Sequence, residues 1–286
     1  MRYIDTFSDS GAVQTALNEN TLGKPYIAEI SGVGIDYDSL GPQTEPVYSE
    51  MPLTFIVSSG GVISVQYVDS VEYKKWTVEY SKNGGPWTVL TGGPTWDDTG
   101  EIPVESGDTV QLRSDNSGSG ANDSVIPSNA FTYSTAVFEV CGNIMSLVNS
   151  TGFSAMTEYQ LPGDAPQFSS NMFQRTNVTS AENLILPVTA LSKSMYYGMF
   201  SFCEKLTIGP ELPATTLADF CYSQMFYSCS TLSDIRCLAT TFATYSTSAW
   251  VQNVPPAGTF TKHPNATWPS GTDGIPDNWT VVDADI

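Results

Sequence analysis

The chain has 286 residues, room for two or three domains at about 100–150 residues each. Eleven Lys+Arg against 30 Asp+Glu give a formal charge of −19, which argues against binding a nucleic-acid backbone, because phosphate contacts need clustered cations. Only 14% of residues are charged, a profile rich in turns and strands, and no apolar run is long enough to span a membrane.

Residues 1–45 form an opening segment. Met1-Arg2-Tyr3-Ile4-Asp5 leads into no apolar signal-peptide core, so the expectation is of a chain made in the cytosol without a secretory leader. Ser8 to Leu17 reads as a capped short helix with Ala12, Val13, Ala16 and Leu17 on one face, closed by Thr21-Leu22-Gly23. Lys24 to Ile30 alternates in strand fashion, and Gly32 and Gly34 turn the chain before Ile35-Asp36-Tyr37. So short a piece makes no core of its own; it either docks on a partner or caps the domain that follows.

Gly41 to Pro46 is a linker with two prolines. Residues 46–140 then give strand signals at short intervals: Leu53–Val57, Val62–Tyr67, Trp76–Tyr80, Trp87–Leu90, Ile102–Val104, Thr109–Arg113 and Ala136–Val140. Ser81-Lys82-Asn83-Gly84-Gly85 is a hairpin turn of the Asn-Gly type. This series of short, closely spaced strands predicts an immunoglobulin-like β-sandwich, with antiparallel pairing assumed and Trp87 in its core.

Residues 141–286 repeat themselves. Met199-Phe200-Ser201-Phe202-Cys203 recurs as Met225-Phe226-Tyr227-Ser228-Cys229, and Leu206 recurs at the same offset as Leu232. Leu186-Pro187 and Leu212-Pro213 keep that offset, as do Leu191 and Leu217, and Leu238-Ala239 continues it without the proline. Met172-Phe173 opens a slightly longer copy. So regular a period predicts stacked units too small to bury their apolar faces alone. Prolines mark turns or strand entries, and the spacing of apolar residues over Ala218–Phe226 suggests a short helical turn, so each unit is expected to hold one strand and one helix. From about Trp250 an atypical final unit caps the stack, with Thr280-Val281-Val282 as a flat strand that leaves no apolar rung exposed.

Two resemblances follow from these residues. Ser180 to Pro187, Pro210 to Ala218 and Gly274 to Ala284 resemble BspA-like leucine-rich repeats, which occur in surface proteins of Bacteroides-type bacteria and in virion proteins of their phages. Thr15-Ala16-Leu17, Thr21 to Ala28 and Ile35-Asp36-Tyr37 resemble the N-terminal phrase of structural proteins of crAss-like and related tailed phages, where it precedes variable domains that project from the virion. The resemblance implies a mainly β protein of three modules: a virion anchor carried by Leu22, Lys24, Pro25, Tyr26, Ile27, Ile35 and Tyr37, a sandwich, and a small α/β leucine-rich-repeat head. It implies a head fibre or capsid decoration protein displaying the head for adhesion, with phage capsid or other virion proteins as partners, a homotrimeric state by analogy with phage fibres, and the virion surface as its location. Host-surface or gut glycans are the ligands such a head implies. A short chain without a long shaft favours the capsid over a tail fibre, the nearest alternative; a bacterial surface adhesin is the other.

Chemistry finds little support. His263, the single histidine, sits in a loop with no nucleophile motif anywhere in the chain. Asp97, Asp98, Glu101 and Glu105 are close enough in sequence for a glycosidase pair but read as solvated loop acids. Asp115-Asn116 with Asn122-Asp123 is a weak candidate for a cation loop, because the spaced acidic pattern of calcium sites is missing. Five cysteines without Cys-x-x-Cys spacing read as buried small hydrophobes in a reducing compartment, and no cofactor is expected. Aromatics that recur with the repeat, such as Phe200 and Phe226, are core; Tyr197, Phe202 and Tyr227 break it and are the candidates for an exposed ligand contact.

Overall fold

The computed structural model describes residues 4–7, 27–30, 46–66, 77–90, 99–115, 129–158 and 169–286. Strand β1 (Ile4–Phe7) pairs parallel with β2 (Ile27–Ile30), Ile4 opposite Ile27. The second lies where alternation predicts a strand; the first has no signal strong enough to be read. The helix expected over Ser8–Leu17 lies outside the described residues.

A strand overlaps each of those expected over 46–140: β3 (Leu53–Ser59), β4 (Gly61–Gln66), β5 (Glu79–Lys82), β6 (Thr88–Val89), β7 (Thr99–Val104), β8 (Thr109–Arg113) and β9 (Val137–Asn143). Strand β5 starts later than the expected Trp76–Tyr80, β6 is shorter than Trp87–Leu90, and Tyr67 and Trp76 lie outside the described residues. Antiparallel pairing runs β6-β5-β8-β3-β9, while β4 and β7 make a separate antiparallel pair. The turn after β5 is built as its sequence demands. Asn83 and Gly84 both have positive φ (54° and 71°), and the Gly85 N–H closes the turn on the Lys82 carbonyl at 2.9 Å. Trp87 is not core. It is half-buried on the sheet surface, its ring 4.1 Å from the Arg113 guanidinium, which also pairs with Glu79 at 2.8 Å. Ring and cation shield each other there, so the indole finds cover without entering the interior.

Strand β9 is the pivot. On one edge it is antiparallel to β3; on the other it is parallel to β10 (Asn177–Ser180) and β11 (Leu184–Ile185). The parallel stack continues through β12 (Ile208–Leu212), β13 (Asp234–Cys237), β14 (Thr259–Lys262) and β15 (Thr280–Asp283), giving one eleven-stranded sheet. The boundary expected at 140/141 therefore falls inside β9. The protein is mainly β, with a solenoid-like stack of parallel strands.

No α-helix forms among the described residues, and the helix expected in each repeat is replaced by a ribbon of turns. Every fourth residue is left-handed: Ser194, Gly198 and Phe202 in one rung, Phe220, Gln224 and Ser228 in the next, Tyr245, Ala249 and Asn253 in the one after. A left-handed residue interrupts the α pattern, and the backbone donors then alternate in direction. The N–H groups of Ser194, Tyr196, Gly198, Phe200 and Phe202 reach carbonyls of the following rung, at 2.7–3.0 Å. Those of Met195, Tyr197, Met199, Ser201 and Cys203 close turns within their own rung, at 2.9–3.3 Å. Left-handed non-glycine residues cost about 1–2 kcal/mol each, offset here by bonds on both sides of the rung. Two side chains of every four then point inward, which is why the sequence reads as paired Met-Tyr, Met-Phe and Cys-Tyr steps.

Those inward pairs build a continuous spine of rings. Phe173 stacks on Phe200 (centroids 5.3 Å apart, planes 8°) and Phe200 on Phe226 (5.9 Å, 11°). Trp250 follows at 6.1 Å and Trp268 stacks on it at 5.2 Å. At the other end Phe131 stacks on Phe173 at 5.2 Å and meets Phe55 of β3 at 5.0 Å, so the antiparallel half and the stack share one core. Glycine is required at Gly209, where a Cβ would lie 2.9 Å from the Phe226 ring.

Two details of the repeat differ from the sequence reading. Cys237, not Leu238, pairs with Leu212 and is buried, because this step of the stack is shorter than the preceding one; Leu238 is half-buried. At the end of the stack β15 forms as expected but leaves Val281 and Val282 47% and 44% exposed, since among the described residues nothing packs on its far side. The ribbon side is closed better. The carboxylate of Asp273 accepts the Ala249 N–H at 2.6 Å, its carbonyl accepts the Thr247 hydroxyl at 2.8 Å, and the Gly274 carbonyl accepts the Trp250 indole N–H at 2.7 Å.

Replacing Phe200 by Ala removes a ring stacked on both faces and is expected to cost about 3–5 kcal/mol in urea unfolding, whereas Leu238→Ser should cost far less. Asp273→Ala leaves the Ala249 donor without its partner and is expected to cost about 1 kcal/mol in the same measurement.

Candidate functional site

The outward half of the turn ribbon carries the candidate contact residues. Because the four-residue cycle repeats in every rung, side chains at one phase align in columns across the stack. Phe202 and Tyr227 meet with ring centroids 5.2 Å apart, and the Arg175 guanidinium lies 5.0 Å over the Phe202 ring. Phe220 and Tyr245, at the other end of the ribbon, stack at 5.3 Å with planes 29° apart, and the Lys193 ammonium lies 5.8 Å over Phe220. Phe202 is 36% and Tyr245 63% exposed; Tyr227, Phe220 and Tyr197 are half-buried.

The structure thus brings two of the three expected contacts, Phe202 and Tyr227, into one pair, and places Tyr197 in the same rung as Phe202. Phe220, Tyr245, Arg175 and Lys193 escaped the sequence reading. A signal for the first two exists: Phe220 and Tyr245 keep the offset that also relates Leu212 to Cys237. That signal emerges only when the repeat is allowed to shorten between those rungs.

Between the pairs the surface is small and polar, with Gln224, Ser248 and Ala249 half-buried at the outward phases. Part of the ribbon is already committed internally. Gln174 donates to the Ser201 hydroxyl at 2.7 Å, Ser223 to the Ser248 carbonyl at 3.1 Å, and Asn253 to the Ser228 hydroxyl at 3.1 Å. The side chains of Tyr197, Tyr227, Gln224 and Gln252 have no hydrogen-bond partner among the described residues.

Of the acids considered for glycoside chemistry, Glu101 and Glu105 are exposed, and Asp97 and Asp98 lie outside the described residues. Asp115 accepts the Ser150 N–H at 2.8 Å, and the side-chain and backbone bonds of Ser150 hold its carboxyl below the ordinary range, partly offset by burial; Asn116 to Asp123 lie outside the described residues. No group of three His, Cys, Asp or Glu side chains able to hold a metal occurs among the described residues. Of the anchor residues, Ile27 opens β2; Leu22, Lys24, Pro25, Tyr26, Ile35 and Tyr37 lie outside the described residues.

All five cysteines are buried, and none forms a disulfide. Cys203 and Cys229 occupy one phase, and each thiol donates to the carbonyl of a phenylalanine in the preceding rung, Phe173 at 2.9 Å and Phe200 at 3.1 Å. Burial pushes the Cys203, Cys221 and Cys237 thiols up to about 12 and Cys229 well above its usual value. No protein-family model matches this chain, and neither a curated protein nor a solved structure matches it.

Native protein at pH 8 is expected to resist a soluble thiol reagent and to label at all five cysteines only after unfolding, read by mass spectrometry. The native thiols keep their protons to higher pH than unfolded ones. The thiols' contribution to stability is therefore fully present below about pH 9 and is expected to be lost as pH rises from there towards about 12, seen as a declining urea midpoint.

Proposed function

We propose that this chain is a non-enzymatic display protein of a tailed-phage virion, a head fibre or capsid decoration protein held by residues 1–45 with its repeat domain turned outward. In this reading the antiparallel half is an immunoglobulin-like spacer and the parallel stack a leucine-rich-repeat head. The observation that carries it is the outward ribbon: a rigid, strained backbone, hydrogen-bonded between rungs, that holds paired aromatic side chains on its solvent side rather than in the core. A regular stack whose surface columns vary in chemistry while the core repeats is suited to presenting a contact surface.

The acidic charge of −19 supports the same role, since a particle-surface protein of that charge is repelled by free DNA and by anionic membranes. The words around Leu22-Gly23-Lys24-Pro25-Tyr26 and the repeat that opens on Met199-Phe200 and Met225-Phe226 supply the phage assignment by resemblance. The homotrimer stays a proposal on the analogy with phage fibres.

The full chain, a chain starting at Pro46 and the full chain carrying Tyr26→Asp are compared for mass in solution and for capture by virions of the phage that encodes it. The full chain is expected to be oligomeric and captured, and both altered chains to lose capture. Equal capture of all three, or none by any, overturns the anchoring reading.

A further inference from the structure

The two aromatic pairs lie on a diagonal. Phe202 and Tyr227 bridge two neighbouring ribbons at one end, Phe220 and Tyr245 bridge the second of these to the next at the other end, and Gln224 lies between them in the shared ribbon. We propose that this track binds a neutral glycan, whose ring faces stack on the two pairs while its hydroxyls meet the polar floor. The inference deepens the display reading above by naming the class of ligand.

Three observations select that occupant. The rings are separated by side chains such as Gln224 and Ser248, so the track lacks the contiguous apolar centre of a protein–protein interface, which buries about 800 Å² on each partner. Sugar rings alternate apolar C–H faces with hydroxyl edges, and the track alternates in the same way. The free hydroxyls of Tyr197 and Tyr227 and the free amides of Gln224 and Gln252 are donors and acceptors without internal partners among the described residues, suited to hydroxyl groups. Charge decides between neutral and acidic chains. Arg175 and Lys193 have no ion pair among the described residues, yet each is spent on the face of a ring, where it fixes the ring's position. Two such cations do not offset a formal charge of −19, so a polyanionic chain is disfavoured on approach.

Because the backbone beneath is cross-linked by hydrogen bonds in both directions, binding orders little that is not already ordered. The left-handed positions matter here: Phe202, Phe220 and Tyr245 all have positive φ (60°, 57° and 53°), a geometry rare for bulky residues, and their side chains project from the crest of each turn.

The test titrates soluble neutral polysaccharides (a β-glucan, a mannan and a xylan) and acidic ones (polygalacturonate and chondroitin sulfate) into the full chain by calorimetry. The same titrations use the Phe202→Ala/Tyr245→Ala double variant and the single variant Tyr245→Ser, whose ring is the most exposed and whose loss leaves the core untouched. At least one neutral polysaccharide is expected to bind, with affinity down tenfold or more in the double variant and several-fold in Tyr245→Ser, at an unchanged unfolding midpoint. Binding of acidic chains alone, binding indifferent to both variants, or no binding of any neutral chain overturns the proposal. Virion capture is scored separately: capture without glycan binding defeats this inference alone, and glycan binding without capture defeats the anchoring reading alone.

Discussion

Each rung of the stack satisfies only half of its ribbon backbone donors within itself; the other half point along the stack to the next rung. A single repeat is thereby left with a row of orphan N–H groups, and unpaired backbone groups are too costly for the unit to stand alone. Repetition is the physical solution, and every other feature of the ribbon follows. The alternation needs a left-handed residue every fourth position, the left-handed residue sends two side chains of four outward, and the fixed offset between rungs aligns those side chains in columns. The last rung cannot use a successor, so Asp273 supplies a carboxylate where the next carbonyl would be.

The ring spine solves the complementary problem on the inside. Phe55 and Phe131 continue the column of Phe173, Phe200 and Phe226, so the antiparallel half does not merely abut the stack but terminates it. Phe131 occupies the phase of Phe173: Asn129 and Phe131 donate to Ser170 and Met172 as Asn171 and Phe173 donate to Tyr197 and Met199. The stack thus begins at Asn129, ahead of β9, and β9 is both the first parallel strand and a member of the antiparallel sheet. An open first rung would expose the edge of its sheet; here that edge is covered by β3.

The same arrangement separates stability from recognition. Inward positions are locked by stacking and by thiols that donate to neighbouring carbonyls, and burial keeps those thiols protonated and inert. The outward aromatic side chains bear on neither the spine nor the rung-to-rung backbone bonds, so they are free to change without loss of the fold. The paired aromatics with cations over their rings belong to that outward class, and the proposed contact surface rests on this division.

Much of this was legible in the chain itself. The Asn-Gly turn, the strands ahead of residue 141, the regular period and the burial of Phe200 and Phe226 all follow from local chemistry and spacing, because core phases must recur where rungs stack. What the sequence could not show was how the intervening residues close. Apolar residues three to four apart over Ala218–Phe226 fit a helix as well as a four-residue ribbon, and only bonds to the neighbouring rung decide between them. Partnership between distant segments likewise set Trp87 against Arg113 on the surface, put Cys237 rather than Leu238 in the leucine column, and extended the stack back to Asn129 through the contact of Phe131 with Phe173. The sequence determined that units must stack; the tertiary structure decided their register and outward face, because those depend on hydrogen bonds and ring contacts made between rungs, not within them.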